Sequence, residues 1–161
     1  MNRRTAFTLT AMALLCGGVS LSGAAVAQQS GTAAEAKAML LKTVAAMKAD
    51  KAKTIELINK GEGGFLDRDL YPFCANVSDN VTVALGNPNA KGLLGKDNRG
   101  LTDSTGKVFG QELFAAGQKP EGTITEVSYL FAKPGPDKTP VPKVSLVTRA
   151  GDVYCGVGYY K

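Results

Sequence analysis

Three cysteines, Cys16, Cys74 and Cys155, are the side chains of this chain best suited to covalent chemistry, and the complete absence of histidine limits what they can do. Without an imidazole there is no Ser/His/Asp or Cys/His nucleophile system, no histidine-ligated haem and no His-containing zinc site. Acid–base chemistry would fall to carboxylates, of which Asp67, Asp69, Asp97, Asp103, Glu112 and Glu126 are candidates. No pair among them has a spacing that defines a catalytic geometry, and acids of this kind are usually solvated surface groups. A redox dithiol calls for a close Cys-x-x-Cys spacing, whereas Cys74 and Cys155 lie far apart in strand-like runs. Neither a catalytic residue, a metal site nor a cofactor is expected.

The compartment decides how the cysteines behave. Asn2-Arg3-Arg4, the apolar run Thr8 to Leu15 with Val19 to Leu21, and Ala25-Val26-Ala27 together read as an export signal cleaved after residue 27. Gly17 and Gly18 interrupt the apolar run, which argues against a permanent span, and the expected mature domain is 28–161 with no membrane helix. Leu15 is a poor predecessor for a lipid-bearing Cys16. General secretion and twin-arginine export both fit the basic start, so a periplasmic or secreted location is expected. There disulfides persist, and the two remaining cysteines allow one connectivity, Cys74 to Cys155, stapling the first strand of the domain to the last. Removing Arg3 and Arg4 from 19 basic residues leaves 17 against 14 acids, too mild a balance for nucleic acid. Lys37, Lys42, Lys48, Lys51, Lys53 and Lys60 read as the solvated face of a helix.

The elements that must position these groups follow from periodicity. Thr32-Ala33-Ala34-Glu35 is a capping box, and Met39, Leu40, Val44, Met47, Ile55 and Ile58 predict one long amphipathic helix ending near Asn59, stopped by Gly61, Gly63 and Gly64. Tyr71 to Val77 and Val81 to Leu85 predict a strand pair turning at Ser78-Asp79-Asn80. A long irregular stretch, 86–106, precedes a short helix over Val108 to Ala116. Strands over Thr123 to Phe131, Lys143 to Arg149 and Val153 to Tyr160 close the chain, with a loop from Pro134 to Pro142 between the first two.

Four motifs in order add a resemblance. Asp69-Leu70-Tyr71-Pro72-Phe73, Asn87-Pro88 with Leu94-Gly95-Lys96-Asp97, Asp103-Ser104-Thr105-Gly106-Lys107-Val108-Phe109, and Gly156-Val157-Gly158-Tyr159-Tyr160-Lys161 resemble the second subtype of the single Cache domain from about residue 33 onward. The resemblance implies an α+β, PAS-like fold, with a long N-terminal helix packed on a five-stranded antiparallel sheet whose first strand lies beside its last. It implies an extracytoplasmic sensor-type domain that binds a short organic acid or amino acid and acts through a separate partner such as a membrane receptor or transporter. A small secreted enzyme and a protein-binding domain of cystatin-like or NTF2-like shape are the alternatives. The binding cleft is expected between the sheet and the segment Asn87 to Phe109, walled by Tyr71, Phe73 and Tyr129. A carboxylate there needs a cation. Lys143 is the first candidate, matching a lysine in the family's Lys-x-Ser pattern, here Lys143-Val144-Ser145, with Lys96 and Arg99 next.

Overall fold

The computed structural model describes residues 30–161; the segment expected to be an export signal, with Cys16, lies outside the described residues. The capping box forms as expected: the Thr32 hydroxyl accepts from the Glu35 N–H at 3.2 Å, and the Thr32 N–H donates to Glu35 Oε2 at 2.7 Å. The helix it opens, α1 (Ala33–Ala49), ends ten residues earlier than the pattern predicts. Asp50 takes an extended conformation (φ −154°, ψ 94°), and its carboxylate caps a second helix, α2 (Lys51–Lys60), by accepting from the Lys53 N–H at 2.9 Å. The eight-residue gap between Met47 and Ile55 was the trace of this break. Offering both a helix end and a new N-cap is what a short acceptor side chain does well. Gly61, at φ 71°, terminates α2 in the left-handed region as its position suggests.

Five strands follow: β1 (Pro72–Asn76), β2 (Thr82–Leu85), β3 (Thr125–Ala132), β4 (Pro140–Ala150) and β5 (Val153–Tyr160). They form one antiparallel sheet in the order β2-β1-β5-β4-β3, so the first strand does lie beside the last. β4 starts at Pro140, inside the stretch expected to be loop, because its first residues pair with the end of β3 in the register Ala132↔Pro140. Proline is tolerated there because it opens the strand.

Alternation along the strands gives the sheet two buried faces. Cys74, Leu146, Val153, Cys155 and Val157 point toward α1 and α2 and pack with Leu40, Met47 and Ile58. Cys74 and Cys155 are direct cross-strand partners, Cα atoms 4.1 Å apart, and are joined in the expected disulfide beneath the helices. The opposite face carries Ala75, Val127, Tyr129, Val147 and Tyr154, covered by α3 (Phe109–Gly117) and by the stretch between β2 and α3. That stretch is not structureless: Pro88–Leu93 is a 3-10 helix capped by Asn87.

Both sheet edges are held by side chains from the covering segments. Asn59 accepts from the Leu85 N–H and donates to the Val83 carbonyl, standing in for a strand beside β2. Asp103 accepts from the Leu130 N–H at 3.0 Å on the outer side of β3. Satisfied edge groups leave little template for pairing with another chain and pin the covering segment over the sheet.

Candidate functional site

Lys143 owes its surroundings to register. On β4 it lies between Tyr129 of β3 and Tyr160 of β5, and cross-strand partners project from the same face. Phe131 follows Tyr129 by two residues on that face, and Tyr71 enters just ahead of β1. The lysine is 2% exposed. Its Nζ lies 4.1, 4.9 and 5.2 Å from the ring centroids of Tyr71, Tyr160 and Phe131, within cation–π range of all three. It donates to the Tyr71 hydroxyl at 2.6 Å, and the same oxygen accepts from Asn87 Nδ2 at 3.1 Å.

An ammonium carries three donors, and Tyr71 takes one. Asp69, the carboxylate that raises the Lys143 pKa, is committed elsewhere: it accepts from the Gly31 N–H at 2.7 Å and lies 3.4 Å from Lys133 Nζ. Burial therefore wins over charge pairing, and the ammonium is pushed down to about 7. Burial likewise pushes the phenols of Tyr71, Tyr129 and Tyr160 up, so these hydroxyls stay protonated.

Two glycines make this arrangement possible. A Cβ on Gly158 would sit 2.1 Å from Cε of Lys143, and one on Gly156 would sit 2.3 Å from the Phe73 ring. Alternate glycines in β5 thus clear one face of the strand for a lysine and a phenylalanine lying flat across it. Gly158→Ala is expected to destabilise the protein by about 1 to 3 kcal/mol by overpacking and to drive the Lys143 arm out of its aromatic surround. Urea unfolding together with the fluorescence of the tyrosines checks this; unaltered values for both would contradict the packing.

Lys143, Tyr71, Phe73 and Tyr129 share one cavity of about 50 Å³, lined on the other side by Leu85, Ala90, Leu93, Leu101, Phe109 and Leu113. On the measure by which a single water needs roughly 10–15 Å³, this is room for a molecule of about three to five heavy atoms without movement of the walls. Its walls are mostly apolar. Phe109 stacks on Tyr129 with centroids 4.1 Å apart, and the Tyr129 hydroxyl pairs with Ser145 at 2.8 Å. At the end remote from Lys143 the lining is polar: Tyr154 donates to Asn80, and Asn98 donates to Thr82.

Lys96 and Arg99 stay outside. Both are exposed, and Arg99 is engaged by Asp97 at 2.5 Å, which in turn accepts from Asn80 at 3.2 Å. Arg99 thus ties down the covering segment at its surface. Phe131, Tyr154, Tyr160, Asn80 and Asn98 line or frame the cavity without having been singled out from the sequence. The paired glycines of β5, two residues apart and so on one face, were the readable signal for a close approach. Nothing local marks the rest. Among the described residues no cluster of acids or cysteines is arranged to hold a metal ion, and no helix is long and apolar enough to cross a membrane.

Comparison with known proteins covers nearly the whole chain. A family model described as Single Cache domain 2 matches residues 12–160. The crystal structure of a methyl-accepting chemotaxis protein from Vibrio parahaemolyticus RIMD 2210633 superposes with a TM-score of 0.62 at 23% identity, covering 79% of this chain and 86% of that one. A periplasmic sensor domain of a chemotaxis protein gives 0.57 at 23% identity over 79% and 88% of the two chains. A Cache chemosensory domain described in terms of carboxylic acid recognition gives 0.57 at 20% identity over 79% and 86%. No curated protein matches significantly.

Proposed function

The chain belongs to the single Cache domain 2 family, and from that premise we propose that it is a periplasmic sensor-type domain whose cavity binds a short carboxylate, the bound form being read by a partner protein. The observation that carries this reading is the Lys143 ammonium, buried at the cavity wall with a single neutral hydrogen-bond partner and no carboxylate paired to it. A buried cation without a counter-ion is costly. A carboxylate arriving from solvent meets that need while its short chain replaces water against Phe73, Tyr129 and Leu93. The Tyr71 hydroxyl, held by Asn87, fixes the ammonium's direction. The similarity to a domain described by its carboxylic acid recognition supports the same class of compound.

Binding rather than turnover fits the remaining acids. Asp97 and Asp103, both held well below the usual carboxylate range by hydrogen bonds, from Arg99 and Thr105 respectively, serve to fasten the covering segment. Disulfide formation and the similarity to a periplasmic sensor domain support an oxidising, extracytoplasmic location.

The test is thermal unfolding against acetate, propionate, lactate, pyruvate, glycine and alanine, followed by calorimetry on those that raise the midpoint. At least one of these compounds should bind, and Lys143→Met should weaken it tenfold or more, about 1.4 kcal/mol, with circular dichroism unchanged. Retention of full affinity by a folded Lys143→Met protein would place the site elsewhere.

A further inference from the structure

We propose that a short carboxylate enters this cavity together with a proton taken up by Nζ of Lys143, so that occupancy responds to pH as well as to carboxylate concentration. The inference rests on the carboxylate reading above and adds its regulation.

The geometry sets up two states of one amine. Among the protein's own groups Nζ is enclosed by three aromatic faces and touches one neutral oxygen. The titratable groups on every element packed around it leave it in that condition. Tyr129 on β3 is bonded to Ser145, and Tyr160 on β5 donates to the Ala132 carbonyl. Asp69, ahead of β1, accepts from the Gly31 N–H through Oδ1, while its Oδ2 is buried without a hydrogen bond and faces Lys133 Nζ at 3.4 Å. In the open groove on the outer side of β4, where Lys161 also lies, Asp103 is taken by the Leu130 and Thr105 amides, and Lys107 pairs with Glu112 at 2.9 Å. None of these bonds to Lys143 Nζ; Asp69 acts on it only through its charge, and burial outweighs that. Burial consequently brings the amine down to about 7, where the neutral and charged forms coexist.

A bound carboxylate reverses the balance. A single negative charge at hydrogen-bond distance from a buried amine strongly favours the ammonium, so the bound complex holds the proton over a range where the ligand-free protein has released it. The step conserves atoms: neutral Lys143, a carboxylate and a proton from the buffer become an ammonium–carboxylate pair, with no covalent bond made or broken. By linkage, protonation strengthens carboxylate binding by the same factor as the carboxylate strengthens proton binding. Below about pH 7 the site is already charged, and affinity is flat down to the titration of the carboxylate itself. Above it, affinity falls about tenfold per pH unit.

Calorimetry with acetate, propionate and pyruvate, each titrated in phosphate and in Tris at pH 6.0, 7.0 and 8.5, reads the proton count from the dependence of heat on buffer ionisation. Uptake near zero, near one half and near one proton is expected at the three pH values, with affinity weakening at least tenfold between pH 7.0 and 8.5. Carbon NMR of lysine labelled at Cε, in the absence of added carboxylate, should show one lysine titrating near neutrality that disappears in Lys143→Met. Tight binding of any of the three with no buffer dependence and constant affinity from pH 6.0 to 8.5 overturns the proton linkage and leaves the carboxylate site standing. Failure of all three, and of lactate, glycine and alanine, to bind at pH 6.0 removes both.

Discussion

Unfolded in urea in the presence of excess reductant, the protein should lose about 4 to 5 kcal/mol of stability relative to its oxidised form. The Cys74 to Cys155 bridge closes a loop with a sequence separation of 81, and a loop of that size removes much of the freedom of the unfolded chain. In the folded state little movement is needed, since β1 and β5 already place the two residues opposite each other. A change of this size is a large fraction of a domain's total stability and corresponds to roughly 15 °C in the unfolding midpoint. Effects on the site should be visible as well. The neighbours of the two cysteines, Phe73, Ala75 and Tyr154, point to the other face and line the cavity, so a loosened β1–β5 register loosens the cavity wall. Coincident melts with and without reductant, or two free thiols in oxidised protein after unfolding, would show that the bridge does not act this way.

The second large effect is a stability that rises with alkalinity. Lys143 carries a pKa near the ordinary 10.5 when unfolded and about 7 when folded, so between those values the unfolded chain binds more protons than the folded one. Stability therefore increases as pH rises through that window, by up to about 5 kcal/mol from this group, and the full penalty is present below pH 7. The buried phenols act in the opposite sense. Burial raises the pKa values of Tyr71, Tyr129, Tyr154 and Tyr160, so each favours the unfolded state once pH passes their ordinary value of 10.0. The empty protein should thus be most stable near pH 9 to 10, on the alkaline side of the usual optimum. Lys143→Met, which fills similar volume without a charge, should be the more stable protein at pH 6 and should lose the rise. Urea unfolding of both at half-unit steps from pH 6 to 9.5 decides it; parallel curves for the two proteins would sink the assignment of a desolvated Lys143.

Much of this molecule is written locally. The capping box at Thr32, the left-handed stop at Gly61 and the strand-like runs of β1 and β5 are properties of a few adjacent residues, and each forms where its pattern lies. The elements that departed did so for reasons of partnership. Asp50 breaks the leading helix because its carboxylate finds the Lys53 amide, and β4 extends to Pro140 because β3 is long enough to pair with it. Neither is visible in hydrophobic period alone.

The same division runs through the site. With Cys16 in a segment expected to be removed on export, the two cysteines left in strands already implied one disulfide, since pairing two residues leaves no choice. The absence of histidine, with carboxylates in no catalytic spacing, already pointed from turnover toward binding. Lysine, tyrosine and phenylalanine types were likewise legible as cavity material. Which cation is buried was settled by tertiary structure: Lys96, Arg99 and Lys143 all carry a positive charge on a long stem, but Arg99 meets Asp97 at the surface while Lys143 falls between two tyrosines in register. The physical reason is that desolvation belongs to a place and not to a residue. It arises when strands distant in sequence are brought side by side, and here it also required Gly158 opposite the lysine's stem and the segment from Leu85 to Leu113 folded over its head.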